Sequence, residues 1–391
     1  MAIFQGDLAG LCHVMALAAA VVVKRGDTLK PLRVLALTRY GTLGASSRLR
    51  FFQYFLSLET TGIQVHWQPL FSDGDLQSRY QRGRYGLATV LAAFGRRIKS
   101  MLAHSAFDLI WIEKEALPWW PQWFESALLR GVPYALDYDD AVFHNYDLHR
   151  FGLVRQLYGK RLDGLMANAA LVVCGNDYLA QRAHQAGAKW VERLPTVIDL
   201  ARYTPADTTE KQDVSGVTDV PRIVWIGSPS TAKYLQLLSQ PLQTLAKRTP
   251  FVLRVIGAQF ELTGVQVECV PWTESTEVVA IAECDVGIMP LLDSAWERGK
   301  CGYKLIQYMA CALPVVASNV GVNAEIVQEG GKGYLPSTED EWLDALTRLL
   351  TDATLRQKLG QAGRQRVETT YCIQKTGPVM AHWLRQAAAK K

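Results

Sequence analysis

The sequence predicts an α/β protein made of two doubly wound domains that face each other across a cleft. Short apolar runs alternate with amphipathic helical stretches, the pattern of parallel sheets covered by helices on both faces. The alternation runs through twice, with a polar interruption in the middle. At 391 residues the chain also exceeds what one hydrophobic core usually serves.

Residues 1–32 stand apart as a hydrophobic extension. Leu8 to Val23 is a run of 16 mostly apolar residues, short for a hydrocarbon core of roughly 30 Å at about 1.5 Å per residue. Asp7 precedes it and Lys24 and Arg25 follow, the reverse of a secretory signal. A shallow membrane anchor and an extension ahead of a start at Met15 both remain open.

The first domain covers 33–200. Arg33 to Leu37 reads as a strand that runs into a loop with Gly41 and Gly44. Ser46 then caps a helix through Leu58, with Leu49, Phe52 and Leu56 on one face. Ile63 to Trp67 is the next strand. Leu87 to Leu102 is a helix with Leu87, Val90, Leu91, Phe94, Ile98 and Met101 as its apolar positions. Phe107 to Ile112, Tyr134 to Leu136 and Leu171 to Cys174 read as buried strands.

The second domain covers 201–374. After a polar stretch, Ala206 to Val220, strands are expected at Arg222 to Ile226, Phe251 to Ile256, Val286 to Met289, Pro314 to Ala317 and Gly333 to Leu335. Residues 375–391 form a last helix that crosses back to the first domain. Two Rossmann-like sheets of this kind bind ligands at the carboxyl ends of their strands, which places the ligand between them.

Composition narrows the function. A net charge of +5 is too small to argue for nucleic acid, and suits a phosphorylated ligand or an anionic membrane face. The seven cysteines are scattered and never spell C-x-x-C, which argues against a disulfide framework or zinc site and for a reducing cytoplasm.

The loop around Gly41 and Gly44 lets backbone N–H groups approach a phosphate, with Arg48 and Arg50 close behind. It is neither G-x-G-x-x-G nor a Walker A, which weighs against NAD and ATP. In the second domain, Trp296 to Ser318 reads as loop, helix, turn and buried strand. The helix starts near Gly302, so Lys300 and Lys304, one turn apart, sit at its positive end as a diphosphate grip. Carboxylates cluster at two strand ends of the first domain: Glu113 and Glu115, then Asp137, Asp139 and Asp140. Asp137 and Asp139 also spell D-x-D. Ser78 to Ser100 holds Arg79, Arg82, Arg84, Arg96, Arg97 and Lys99 without an acidic residue. With Trp119, Trp120 and Trp123 nearby, this suggests an acceptor or membrane surface, peripheral on the inner membrane. Arg48 is counted with that surface.

The segment Lys304 to Ser318, KLIQYMACALPVVAS, resembles the donor-binding signature of retaining glycosyltransferases of the GT-B fold, family 4. Val320 to Val327 is similar to the turn that follows it in that family, and Pro195 to Pro205 to the interdomain linker. The resemblance implies sugar transfer from a nucleoside diphosphate sugar to a glycan or lipid-linked acceptor, as in bacterial cell-surface polysaccharide synthesis. It implies no covalent nucleophile, cofactor or metal. Lys233, Arg298, Lys300 and Lys304 would stabilise the leaving diphosphate and Gln307 would meet the ribose. Asp139 would stand where relatives often carry a histidine beside the sugar, and Asp140 and Glu115 would assist it.

The chain departs from the pattern in three places. Gly299 and Gln307 occupy the positions of the family's two glutamates, with Glu297 as a nearby substitute, and Ser228 replaces an arginine. Two alternatives therefore stay open: a sugar-nucleotide epimerase of the same fold, and a non-catalytic sugar-nucleotide-binding protein.

Overall fold

The computed structural model describes residues 31–203, 220–328 and 331–390. The apolar run Leu8 to Val23 and most of the polar stretch from Ala206 lie outside them.

Each domain is built on a six-stranded parallel sheet. In the first, β1 (Leu32–Tyr40), β2 (Ile63–Phe71), β3 (Leu109–Glu113), β4 (Tyr134–Tyr138), β5 (Leu171–Cys174) and β6 (Val191–Arg193) take the order β2-β1-β3-β4-β5-β6. In the second, β7 (Arg222–Ile226), β8 (Val252–Ile256), β9 (Gln266–Val270), β10 (Val286–Met289), β11 (Val315–Ala317) and β12 (Gly333–Tyr334) take the order β12-β11-β10-β7-β8-β9. The order reverses beside the first strand of each sheet, the switch point at which doubly wound sheets open a ligand crevice. The expected strands are present. β6 and β9 are additional edge strands, half-buried, whose mixed composition leaves no apolar run to read.

The central strands are buried on both faces: Val34 to Leu37, Leu109 to Ile112, Ile223 to Ile226 and Val252 to Ile256 contribute to cores on either side of each sheet. The C-terminal helix Ile373–Ala388 packs Met380, Trp383, Leu384 and Ala387 against Val34, Phe51, Tyr54 and Leu58 of the first domain. Tyr54 and Thr376 share a hydroxyl hydrogen bond of 3.0 Å there. Ile198 pairs with the Tyr371–Ile373 segment through backbone bonds of 3.1 and 2.8 Å.

Two helices differ from expectation. The one after β1 starts at Gly44 and winds through a π turn at Arg48–Phe52, so Ser46 lies inside it and does not cap it. Of the expected face Leu49 is buried and Phe52 half-buried, but Leu56 is exposed, and Phe51, Tyr54 and Leu58 are buried instead. The helix Leu87–Leu102 buries Ala93, Arg97 and Met101, leaving Leu87 and Leu91 in solvent. Among the described residues no helix is long and apolar enough to cross a membrane.

Candidate active site

Both sheets point the carboxyl ends of their strands into one cleft. On the second-domain wall, the helix Tyr303–Ala310 begins at Gly302, which takes φ 63°. A side chain there would be strained and its Cβ would meet Ile326 at 2.3 Å. No side chain caps this helix start, so its first N–H groups stay open to an anion. Lys300 and Lys304 flank it. The Lys304 ammonium lies 5.5 Å from the Trp225 ring and has no ion pair among the described residues. Burial, then the Lys300 charge, pushes it down to about 8.

On the first-domain wall, β3 and β4 end in Lys114, Asp139 and Asp140. The Lys114 ammonium stands 2.7 Å from Asp139, 3.2 Å from the Ser46 hydroxyl and 4.0 Å from Asp140. Across the cleft, Lys300 approaches Asp140 to 3.7 Å. Charges therefore alternate from one domain to the other through Lys114, Asp140 and Lys300. Lys114 was not among the sequence candidates; its only local signal is its place after a buried strand.

The two walls touch. Asn176, buried at the start of the helix Asp177–Gln185, gives its amide N–H to the Lys300 carbonyl at 2.9 Å. The Cys301 thiol donates to the Asp139 carbonyl at 3.1 Å. A Cβ at Gly299 would fall 2.5 Å from Ala141 Cβ and 2.9 Å from its backbone nitrogen. The family's first glutamate position is thus filled by the opposite domain. Glu297 does not compensate: it is buried, accepting from Tyr234 and Ser294.

Several expectations need correction. The N–H groups of Thr42 and Leu43 are taken by the Asp73 carboxylate at 3.2 and 3.0 Å, and a Cβ at Gly41 would strike it. That anion is internal, so Gly41 shapes a carboxylate-capped turn and not a phosphate cradle. Gly44 is needed because a Cβ would lie 2.4 Å from that of Tyr40. Glu115 is sequestered: its oxygens meet Arg161, Tyr146 and Arg39 in a buried cluster that also holds Glu125. Gln307 is 3% exposed and donates to the Tyr203 hydroxyl at 2.9 Å, inside the second domain. Asp137 is paired with Arg50 at 2.7 Å beneath the sheet end, and burial, only partly offset by Arg50, pushes it up to about 6. The D-x-D carboxylates are therefore divided between two cations. No cluster of three or more His, Cys, Asp and Glu side chains suited to a metal forms among the described residues.

The basic surface is also redistributed. Arg97 is 1% exposed and ties Gln68, Ala116 and Thr38 together from inside. Arg48 is buried, donates to the Thr42 carbonyl at 3.1 Å and lies 4.8 Å from the Trp272 ring of the second domain. Arg82 is exposed and Arg96 half-exposed beside Asp75. Trp119 is exposed with φ 68°, whereas Trp120 packs on Phe94 and Phe124. Arg298 is exposed and held by Asp293 at 2.6 Å, and Lys233 is exposed 5.3 Å from the Tyr234 ring.

Known proteins share this organisation. The family Glycosyl transferases group 1 matches residues 220–352. A D-inositol 3-phosphate glycosyltransferase of Pseudarthrobacter chlorophenolicus is 25% identical over 224 residues, 52% of this chain and 52% of that protein. The chain thus spans about half the length of that relative. Spore coat protein SA of Bacillus subtilis is 23% identical over 69% of this chain and 76% of its own. Among solved structures, sucrose-phosphate synthase of Thermosynechococcus elongatus superposes with a TM-score of 0.68 at 16% identity, over 92% of this chain and all of the other. HepE of Anabaena, in complex with UDP and glucose, gives 0.64 at 17% identity, over 90% and 99%. The chain has the GT-B fold across both domains, and its second domain is similar, over residues 220–352, to the group 1 glycosyl transferases.

Proposed function

We propose that the protein is a retaining glycosyltransferase that takes a sugar from a nucleoside diphosphate sugar. The observation that carries this reading is the open helix start at Gly302, with Lys300 and Lys304 beside it, facing Asp139 and Asp140 across the cleft. Lys304 is a cation with no close ion pair among the described residues, and it faces the carboxyl ends of two sheets. The anomeric carbon–oxygen bond breaks with its electron pair leaving on the diphosphate. Lys300, Lys304 and the helix end stabilise that charge, with Lys233 and Arg298 on the same wall. The acceptor oxygen adds from the face the diphosphate leaves, and its proton passes to the departing phosphate oxygen. Asp139 and Asp140 orient sugar and acceptor hydroxyls. Lysines and the helix end supply the electrostatics, so transfer persists in a chelator.

The acceptor is a glycan or a lipid-linked glycan, as in bacterial cell-surface polysaccharide synthesis. Exposed apolar side chains support a membrane-facing first domain: Leu148, Phe151, Leu153 and Leu157 border the helix Gly152–Tyr158, near Trp119 and beside Arg150 and Arg155. Such a mixture suits an anionic bilayer surface. The test is a panel of UDP-, GDP- and ADP-sugars with glycan and lipid-linked acceptors, reading the anomeric configuration of the product. An inverted product refutes retention. An epimerised donor without acceptor supports the epimerase, and donor binding without turnover supports a binding protein.

A further inference from the structure

Lys114 is a buried lysine whose backbone takes φ 64°, in the left-handed region that L side chains with a Cβ rarely adopt. Its N–H is fixed by the Asp137 carbonyl at 2.9 Å. In that conformation the ammonium reaches Asp139 at 2.7 Å and the Ser46 hydroxyl at 3.2 Å. Glu113, 3.9 Å away, is already engaged by the Ser47 hydroxyl and the Arg39 N–H at 2.6 and 2.7 Å. Strain held at a cleft residue is a recognised mark of function when the surroundings enforce it.

We propose that Lys114 is a positioning residue that keeps Asp139 an ionised, oriented hydrogen-bond acceptor for the hydroxyl groups bound in the cleft. The identity of those hydroxyls rests on the glycosyltransferase reading; the Lys114–Asp139 relation does not.

The groups around Asp139 come from every element that packs on it. Lys114 and Glu113 end β3, Ser46 and Arg50 come from the first helix, Asp137 and Asp140 are neighbours in sequence, and Cys301 and Lys300 arrive from the second domain. Burial works to raise the Asp139 carboxyl. Lys114, the Ser46 hydroxyl and Arg50 outweigh it and hold the group below the ordinary carboxylate range. Take the ammonium away and burial stands beside Asp140 and Asp137, opposed by Ser46 and Arg50 alone. A carboxyl group that gains a proton turns from pure acceptor to donor and loses its aim at a hydroxyl hydrogen.

The experiment compares wild type with Lys114→Met, Lys114→Arg and Lys114→Gly. Carbon-13 NMR follows the side-chain carboxyl titrations, with Asp139→Asn identifying the Asp139 resonance. The midpoint moves up by about one pH unit or more in Lys114→Met and Lys114→Gly, and most of that move is absent in Lys114→Arg. The acid limb of kcat follows the midpoint, while UDP affinity, read by calorimetry, stays within about twofold of wild type. Lys114→Gly accepts φ 64° without strain, so it folds even where Lys114→Met does not. An unmoved Asp139 midpoint in the folded charge-free variant overturns the proposal. If wild type transfers no sugar with any donor, the glycosyltransferase reading fails while the carboxyl titration still decides the role of Lys114.

Discussion

Gly299 offers the sharpest perturbation of the closed cleft. A methyl group at this position meets Ala141 Cβ at 2.5 Å and Ala141 nitrogen at 2.9 Å. Ordinary carbon contacts begin about 1 Å further out, and a backbone atom cannot rotate away. The strain is relieved by moving the domains apart, which releases the Asn176 bond to Lys300, the Cys301 bond to Asp139 and the Lys300–Asp140 pair. Overpacking of this kind costs about 1–3 kcal/mol, a factor of roughly 5 to 150 in the closed population at about 1.4 kcal/mol per decade. We predict that Gly299→Ala lowers kcat/KM by about tenfold or more, and that Gly299→Glu lowers it further although it restores a carboxylate. Small-angle scattering with bound UDP should show a more open particle for both variants. Ala141→Gly in the Gly299→Ala background removes the Cβ contact and leaves the nitrogen contact, so it recovers part of the loss. Wild-type turnover and compactness in Gly299→Ala would refute the argument.

Further outcomes are expected. Lys304 titrates near 8 when the cleft is empty, and a bound diphosphate favours its charged form; diphosphate affinity is therefore full below that pH and falls above it by up to about tenfold per unit. Calorimetry of UDP, GDP and ADP between pH 6.5 and about 9.5 checks this, and Lys304→Arg should flatten the profile. Arg97→Ala leaves the carbonyls of Thr38, Gln68 and Ala116 without their donor and should cost about 3 kcal/mol or more, seen as a large fall in Tm. Arg96→Ala, at the surface, should change stability by less than about 0.5 kcal/mol. Leu153→Glu with Leu157→Glu should weaken co-sedimentation with phosphatidylglycerol vesicles without changing soluble donor binding, and equal sedimentation would remove the membrane-facing assignment.

The alternation of apolar runs made the two sheets legible, because strands buried on both faces leave continuous hydrophobic stretches such as Leu171–Cys174 and Ile223 to Ile226. The helix start at Gly302 was legible for a local reason, a glycine ahead of an amphipathic stretch. What stayed hidden depends on partners distant in sequence. The carboxylate that fills the turn at Gly41 belongs to Asp73, and the contact that requires a glycine at 299 comes from Ala141 in the other domain. Arg97 sits among exposed basic residues in sequence, yet the helix phase turns it inward under Gln68. The π turn at Arg48–Phe52 widens the helix just where Phe51, Tyr54 and Leu58 take the buried face from Leu56, which no periodicity count anticipates. Lys114 combines both problems: its left-handed backbone and its carboxylate partner on another strand leave no trace in local pattern.

The central claim is that the open helix start and its two lysines grip the donor diphosphate. Titrating UDP, GDP and ADP into wild type and Lys304→Ala at pH 7 tests it most directly. At least one diphosphate should bind wild type, with an affinity about tenfold or more weaker in Lys304→Ala and weaker again when Lys300 is also replaced by alanine. Equal affinity across wild type and both variants would contradict the account.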